Sequence, residues 1–229
     1  MSDLQDALKR GITPINKEGY FIIAVACVIT LLLLLISSFL GGLAIILTFF
    51  VVYFFRDPER VIPDNKDFIL ASADGVVDQI EDSISAPEGL GIDSKKKFQR
   101  VSIFLSVANV HVQRIPIDGI IEKTEYIQGK FLNITNDKYH NDNERQLCLM
   151  KAKQGFDVIF VQIAGMIARR IVCNLKEGQE VKAGNRFGCI KFGSRVDVYL
   201  PKDVEIMVKV GQTMIAGESV IGVYKGKNK

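Results

Sequence analysis

Between Tyr20 and Phe55 the chain carries no charged residue, and Leu, Ile, Val and Phe dominate the stretch. A segment this apolar satisfies its backbone groups in lipid only as helix, and one crossing needs about 20 residues. The run is too long for one crossing and barely long enough for two, and the turn-forming residues 37–42 divide it. We therefore predict a membrane hairpin of two short helices over residues 20–55.

Basic residues flank this run on both sides: Lys9, Arg10 and Lys17 precede it, and Arg56 and Arg60 follow it. Because Lys and Arg concentrate on the cytoplasmic side of membrane segments, both ends are predicted to be cytoplasmic. Residues 1–19 are then a cytoplasmic N-terminal segment, and the protein lies in the cell (inner) membrane with its following domain on the cytoplasmic side. The second helix is short enough that a shallow or re-entrant hairpin stays an alternative to a full crossing.

After Pro63 the hydrophobic pattern changes to short, β-branched runs separated by glycine turns, which are typical of strands. Paired Gly-Gln and Ala-Gly turns at residues 178–184 and 211–217 are similar to those of the compact lipoyl and biotinyl domains. We predict a mostly β fold, a barrel-sandwich-like β domain over residues 56–229 preceded by the α-helical hairpin. The clearest strand candidates are residues 75–80, 101–105, 158–163 and 196–200.

Composition excludes some classes of function. Lys and Arg number 29 against 26 Asp and Glu, Trp is absent, and no basic block is interleaved with aromatic residues, so nucleic acid is not an expected partner. The four cysteines are scattered and form no Cys-x-x-Cys pair. This favours reduced thiols and predicts no metal site.

The dipeptide Gly193-Ser194 lies between two β-type runs and is a candidate site of self-cleavage. Ser194 Oγ can attack the Gly193 carbonyl and turn the amide into an ester, since glycine leaves the approach open and tolerates unusual backbone angles. Gly-Ser is also common in turns, so the dipeptide alone is a weak signal.

Six short motifs, however, occur in one order along the chain. They resemble the short, membrane-associated branch of the phosphatidylserine decarboxylases, and the resemblance runs from about Phe54 to Tyr224. The motifs are Phe54-Phe55-Arg56-Asp57-Pro58-Glu59-Arg60, Ser72-Ala73-Asp74-Gly75, Asn109-Val110-His111-Val112-Gln113-Arg114, Asn143-Glu144-Arg145, Gln162-Ile163-Ala164-Gly165 and Phe192-Gly193-Ser194-Arg195.

This resemblance implies a proenzyme that cuts itself between Gly193 and Ser194 into a large chain (1–193) and a small chain (194–229), which stay together as a heterodimer. It implies that Ser194 becomes a covalent pyruvoyl cofactor, a ketone that forms a Schiff base with a substrate amine and serves as an electron sink. The implied reaction is decarboxylation of phosphatidylserine to phosphatidylethanolamine, with a membrane phospholipid as the substrate.

The resemblance also assigns residue roles. His111 is the candidate acid and base, and Asp74 is expected to orient it, in the manner of a Ser-His-Asp relay. The longer branch of the family has a second histidine three residues after the first, and there the later one serves the cleavage. Here that position is Arg114, so either His111 serves both steps or the base comes from elsewhere, with His140 as the other histidine.

Arginines are the candidate ligands of the lipid phosphate, because the guanidinium group matches phosphate oxygens bidentately. Arg114, on the predicted strand of His111, and Arg195, beside the cleavage site, are predicted to be the best placed, and Arg56 follows the apolar run. The full set of candidates is Arg56, Arg60, Arg114, Arg169, Arg170 and Arg195.

Two alternatives remain. A membrane-tethered lipoyl-like adaptor or carrier without catalysis would explain the glycine turns and the run Met207-Val208-Lys209, although we expect Lys209 to begin a strand. A serine hydrolase that uses Ser194 directly would be expected to show a Gly-x-Ser-x-Gly elbow, which the sequence lacks. Both alternatives predict an uncut chain.

Overall fold

The computed structural model describes residues 13–129, 142–165, 170–191 and 193–226. The chain divides into two compact units, one ending at Glu59 and the other beginning at Arg60. The first unit contains helices α1 (Lys17–Ile36) and α2 (Ser38–Phe54). Most of their large apolar side chains are exposed, which suits a lipid environment. The predicted pair of apolar N-terminal helices is confirmed.

The connection between α1 and α2 is tighter than predicted. Ser37 alone is extended, with φ −159 and ψ 130, and the residues that follow it are already helical. Gly41 allows the close approach, because a Cβ there would lie 2.3 Å from Leu34 Cδ2. A hydrogen bond of 2.8 Å between the hydroxyls of Thr30 and Thr48 joins the two helices.

The two helices differ in whether they are long enough to cross a membrane. By length and hydropathy α1 could cross a membrane. Helix α2 has 17 residues and reaches about 25 Å at 1.5 Å per residue, short of a hydrocarbon core of about 30 Å.

The second unit is built from strands, as predicted. The strands are β1 (Phe68–Leu70), β2 (Gly75–Ser85), β3 (Lys97–Leu105), β4 (Val112–Arg114), β5 (Gly119–Ile127), β6 (Arg145–Ala152), β7 (Asp157–Ala164), β8 (Arg170–Cys173), β9 (Glu180–Val181), β10 (Arg186–Lys191), β11 (Ser194–Leu200), β12 (Val204–Ile206), β13 (Thr213–Met214) and β14 (Val220–Tyr224). The four clearest strand candidates lie within β2, β3, β7 and β11.

These strands form three sheets. The largest sheet has the order β13-β2-β3-β11-β7-β6-β5-β9, and two three-stranded sheets have the orders β1-β14-β12 and β4-β10-β8.

The large sheet buries apolar side chains on both faces. Val196, Val198 and Leu200 of β11 belong to the main core, whereas Tyr199 belongs to a second cluster with Leu90 and Phe98. This alternation follows from the two-residue period of a strand. Neighbouring residues of β11 therefore face different surroundings, and Ser194 and Arg195 lie on opposite faces of the sheet.

Lys209 lies outside β12, in an exposed turn where its backbone N–H donates to Gln212 Oε1 at 3.2 Å. The expectation that Lys209 begins a strand is therefore wrong. Val208 is buried in the main core and ends the apolar run, after which the backbone groups of Lys209 and Gln212 bond to each other.

Candidate active site

One end of the large sheet gathers most of the sequence motifs. Ser194, the first residue of β11, pairs with Leu105 at the end of β3 and with Ala164 at the end of β7. Gly75, the first residue of β2, lies beside the same end of β3, because Val76 pairs with Phe104. All these pairs are antiparallel, so strand beginnings and ends alternate along one edge. Segments far apart in sequence therefore meet around Ser194.

The Gly193-Ser194 bond lies where the chain passes from β10, in a three-stranded sheet, to β11 in the large sheet. Gly193 has φ +59, in the left-handed region that favours glycine, and a Cβ there would meet nothing within 4 Å. Glycine is therefore favoured at position 193 by the backbone conformation and not by a lack of space for a side chain. Ser194 is completely buried, and its Oγ has no hydrogen-bond partner among the described residues. A buried hydroxyl without a partner is unusual and calls for an explanation, and a chemical role is one such explanation.

His111 follows the loop after β3. Asn109 shapes this loop, since its Oδ1 accepts hydrogen bonds from the backbone N–H and hydroxyl of Ser106 at 2.9 and 2.7 Å. The His111 ring is buried, and Nδ1 lies 2.9 Å from the carbonyl oxygen of Asn109. A carbonyl only accepts, so Nδ1 carries the proton, and in the neutral ring Nε2 is the basic nitrogen.

Contacts at both carboxylate oxygens hold Asp74. Its Oδ2 accepts from Arg60 Nη2 at 2.8 Å, and its Oδ1 accepts from the backbone N–H of Ala216 at 2.8 Å. The neighbouring Gly75 lets β2 approach β3, because a Cβ there would lie 2.0 Å from the Phe104 carbonyl oxygen. The contacts described for Asp74 go to Arg60 and Ala216, and the one described for the His111 ring goes to Asn109. Orientation of His111 by Asp74 therefore stays a prediction.

Asn143, for which the sequence left a phosphate-binding role and a supporting role by internal pairing undecided, supports the strand beside Ser194. Its Nδ2 donates to the carbonyl of Ala164 at 3.0 Å, and the Ala164 N–H donates to the carbonyl of Glu144 at 2.9 Å. Ala164 is the pairing partner of Ser194. The Asn143-Glu144-Arg145 motif thus fixes one wall of the site.

Arg195 lies on the opposite face of β11 from Ser194, as strand alternation requires. It is completely buried, and its guanidinium group binds within the protein. This environment favours a structural role over the predicted one as a phosphate ligand. Its partners are Asp197 Oδ1 at 2.7 Å, Gln79 Oε1 at 2.8 Å, Ser102 Oγ at 2.5 Å and Asp78 Oδ2 at 3.4 Å.

Arg195→Met is expected to lower the free energy of unfolding by about 3 kcal/mol, because it leaves the buried Asp197 carboxylate without its closest partner. Urea unfolding followed by circular dichroism measures the loss. Arg170→Met, which removes an exposed arginine, should change stability by less than about 0.5 kcal/mol. Unchanged stability together with weakened lipid binding would instead make Arg195 a ligand.

The other predicted residues have separate surroundings. Arg114 is buried and donates from Nη1 to the carbonyl of Gly184 at 2.8 Å. Arg56 belongs to the first unit, where its guanidinium carbon lies 3.8 Å from the centre of the Tyr53 ring and Nη1 donates to the Tyr53 carbonyl at 2.9 Å. His140 and Arg169 lie outside the described residues.

Sequence reasoning gave no separate role to two glutamines close to His111. Gln113 and Gln162 are both completely buried, and Gln162 Nε2 lies 2.9 Å from Gln113 Oε1. One sequence signal could have pointed to this pair, because Gln162 is a polar residue within the otherwise apolar strand β7. Its pairing with Gln113, in a different sheet, has no local signature.

Comparison with known proteins agrees with this arrangement. The sequence model described as phosphatidylserine decarboxylase matches residues 47–222. The chain is 49% identical over 218 residues to a phosphatidylserine decarboxylase proenzyme of Wolbachia sp. subsp. Brugia malayi, covering 95% of this chain and 94% of that protein. It is 47% identical over 213 residues to the proenzyme of the same name from Rickettsia africae, covering 93% and 91%. The chain therefore belongs to the phosphatidylserine decarboxylase family.

Proposed function

We propose that this chain is a proenzyme that cuts itself between Gly193 and Ser194 and then decarboxylates phosphatidylserine to phosphatidylethanolamine. The observation that carries the proposal is the buried Ser194 hydroxyl, without a partner among the described residues and directly after a glycine at φ +59. The names of the relatives, which describe phosphatidylserine decarboxylase proenzymes, support both the reaction and the processing.

The proposed cleavage begins when Ser194 Oγ bonds to the carbonyl carbon of Gly193 and the C–N bond between the two residues breaks. The hydroxyl proton passes through a base to the released nitrogen. Loss of the Cα proton of residue 194 then breaks its Cβ–O bond, which leaves Gly193 as a carboxylate and residue 194 as dehydroalanine. After tautomerisation, one water molecule replaces the nitrogen, which departs as ammonia, and a pyruvoyl group remains.

Residue 194 is a suitable place for this group. It is buried, and its neighbours Leu105 and Ala164 on both adjoining strands would hold it at the end of the sheet. The pyruvoyl ketone would supply an electrophile for the substrate amine and accept the electron pair released with CO2.

His111 is proposed to move the protons of both steps. With Nδ1–H bound to the Asn109 carbonyl, Nε2 can take the proton of the Ser194 hydroxyl and later return one to the product carbon. Asp74, held by Arg60 and Ala216, is proposed to orient this histidine. Arg114, three residues after His111, and Arg56 remain the proposed cations for the lipid phosphate.

The two products of cleavage are proposed to stay together as a heterodimer. The small chain would contain β11, which pairs with β3 and β7, and β14, which pairs with β1. These partners all belong to the large chain. Separation would therefore break a continuous set of backbone hydrogen bonds.

Helices α1 and α2 are proposed to anchor the enzyme in the cell membrane with the β domain on the cytoplasmic side. Their apolar composition and the basic residues before and after them support this orientation. An anchor suits the substrate, because a two-tailed phospholipid is nearly absent from water.

The proposed function is tested by intact mass analysis of the purified protein together with measurement of CO2 release from phosphatidylserine. We expect two chains, residues 1–193 and 194–229, with a borohydride-sensitive ketone on the smaller one. A fully active protein that remains uncut would overturn the pyruvoyl mechanism. An uncut, inactive protein would favour the adaptor or carrier, for which the exposed turn at Lys209 offers an attachment point.

Deleting residues 1–55 is expected to reduce turnover on phosphatidylserine vesicles at least about tenfold while self-cleavage continues, because the β domain forms a compact unit of its own. Vesicle co-sedimentation, gel analysis and CO2 release measure the three properties. Turnover of a dispersed short-chain phosphatidylserine is the control and should be retained. Equal turnover of full-length and shortened protein on vesicles would contradict the anchoring role.

A further inference from the structure

The two buried glutamines form part of a hydrogen-bonded bridge between two sheets. Gln162 belongs to β7 of the large sheet and Gln113 to β4 of the sheet β4-β10-β8. Gln162 Nε2 donates to Gln113 Oε1 at 2.9 Å, and Gln113 Nε2 donates to the carbonyl of His111 at 2.8 Å. The bridge therefore links β7, the strand beside β11, to the backbone of His111.

The direction of the bridge is fixed by its ends. Gln162 Nε2 also donates to the carbonyl of Val172 at 3.3 Å. The carbonyls of Val172 and His111 can only accept, so both amide groups must present their nitrogen atoms to them. Each glutamine thus has one orientation that satisfies its neighbours.

Gly188 of β10 provides the space for this bridge. A Cβ at Gly188 would lie 2.7 Å from Gln162 Nε2 and 2.3 Å from the Val172 carbonyl oxygen. Gly188 pairs directly with Gln113, so the glycine stands where the Gln162 amide reaches the second sheet. A side chain at this position would displace the amide.

Before cleavage, several connections run between His111 and residue 194, and three of them bear on the cut. Its carbonyl accepts from Ile190 N at 3.2 Å, and the backbone runs from Ile190 to Ser194. The loop after β3 is a second connection, but it passes through the exposed Val107 and Ala108. The glutamine bridge is the third, because β7 pairs with β11 over Ser194–Ala164 and Val196–Gln162.

Cleavage between Gly193 and Ser194 removes the first connection and leaves the bridge intact, since Gln113, Gln162 and His111 all belong to the large chain. We propose that Gln113 and Gln162 are positioning residues that hold His111 against residue 194 once the backbone has been cut. This inference rests on the proposed function. It predicts that the bridge matters more for decarboxylation than for self-cleavage.

The test compares Gln162→Met and Gln113→Met with the wild type in two separate reactions. We expect the rate of self-cleavage to stay within about twofold, while kcat for decarboxylation falls about 10- to 100-fold with KM unchanged, the usual effect of a small misplacement of a catalytic group. The double variant should lose no more than either single variant, because both break the same bridge. Gln146→Met is the matched control, since Gln146 pairs with Gln162 on the neighbouring strand but donates to Leu147.

Hydrogen exchange gives a second measurement that does not depend on activity. In cut protein, Gln162→Met should lower the protection of residues 109–113, whereas in the uncut Ser194→Ala background the same change should leave it nearly unaltered. Equal losses in both reactions, no loss in either, or equal protection in cut and uncut protein would overturn the inference. If Gln162→Met does not fold, Gln113→Met decides by the same comparison. An uncut wild type would instead overturn the proposed function, so the two failures are distinct.

Discussion

Replacing Ser194 by Ala is expected to leave one uncut chain with no decarboxylase activity. The substitution removes the only atom of residue 194 that can attack the Gly193 carbonyl, so neither the ester nor the ketone can form. Stability should stay equal or rise by about 1 kcal/mol, because the lost hydroxyl is buried without a partner among the described residues. Denaturing gels, intact mass and thermal unfolding measure the three outcomes.

Two further variants sharpen this experiment. Ser194→Cys keeps a nucleophile that can make the same acyl shift, so we expect slow cutting. Ser72→Ala removes another buried hydroxyl that has no partner among the described residues, and this variant should cut at the wild-type rate. A decarboxylase that is fully active with Ala at residue 194 would refute the cleavage mechanism.

Replacing His111 by Gln is expected to slow both self-cleavage and decarboxylation by about 10²- to 10⁴-fold, the usual contribution of a positioned acid or base. The amide keeps much of the polarity of the ring but cannot act as a general acid or base near neutral pH. The fraction of cut chain over time reports the first step. The kcat of protein that has already been cut reports the second.

His140→Gln is the control for this variant, because the chain contains only two histidines. It should leave both rates close to those of the wild type, because a residue that is not the acid or base does not supply the roughly 10²- to 10⁴-fold contribution of that group. If His140→Gln stops cleavage and His111→Gln does not, the base for cleavage is His140. If only decarboxylation depends on His111, the two steps use different bases, an alternative that Arg114 leaves open.

The sequence predicts the elements of the fold better than their arrangement. An uncharged apolar run divided by Ser and Gly predicts two helices, and β-branched runs between glycine turns predict strands. The pairing of Ser194 with Leu105 and Ala164 joins segments far apart along the chain, and local patterns carry no information on such partners. The lipoyl-like turns indicated the class of fold but not the strand order.

For the candidate site, too, the sequence indicates which residues are involved better than it indicates how they are arranged. The motifs that contain Ser194, Gly75 and Ala164 lie at one end of the large sheet, whereas the catalytic roles of His111 and Asp74 stay predictions. Strand alternation alone would have indicated that Arg195 faces away from Ser194, because neighbouring residues of a strand point to opposite sides of the sheet. The glutamine bridge could not have been predicted, since it depends on a glycine in a third strand leaving room for an amide.

The position of β11 inside the large sheet has a consequence for detecting the reaction. Chain termini usually fray, but the new end created at residue 194 would start between two paired neighbours and stay in register. The cut would then leave the hydrodynamic size and the secondary-structure content of the native protein almost unaltered. Gel filtration and scattering would therefore not detect the cleavage. A method that separates the two chains after unfolding, such as a denaturing gel, would detect it.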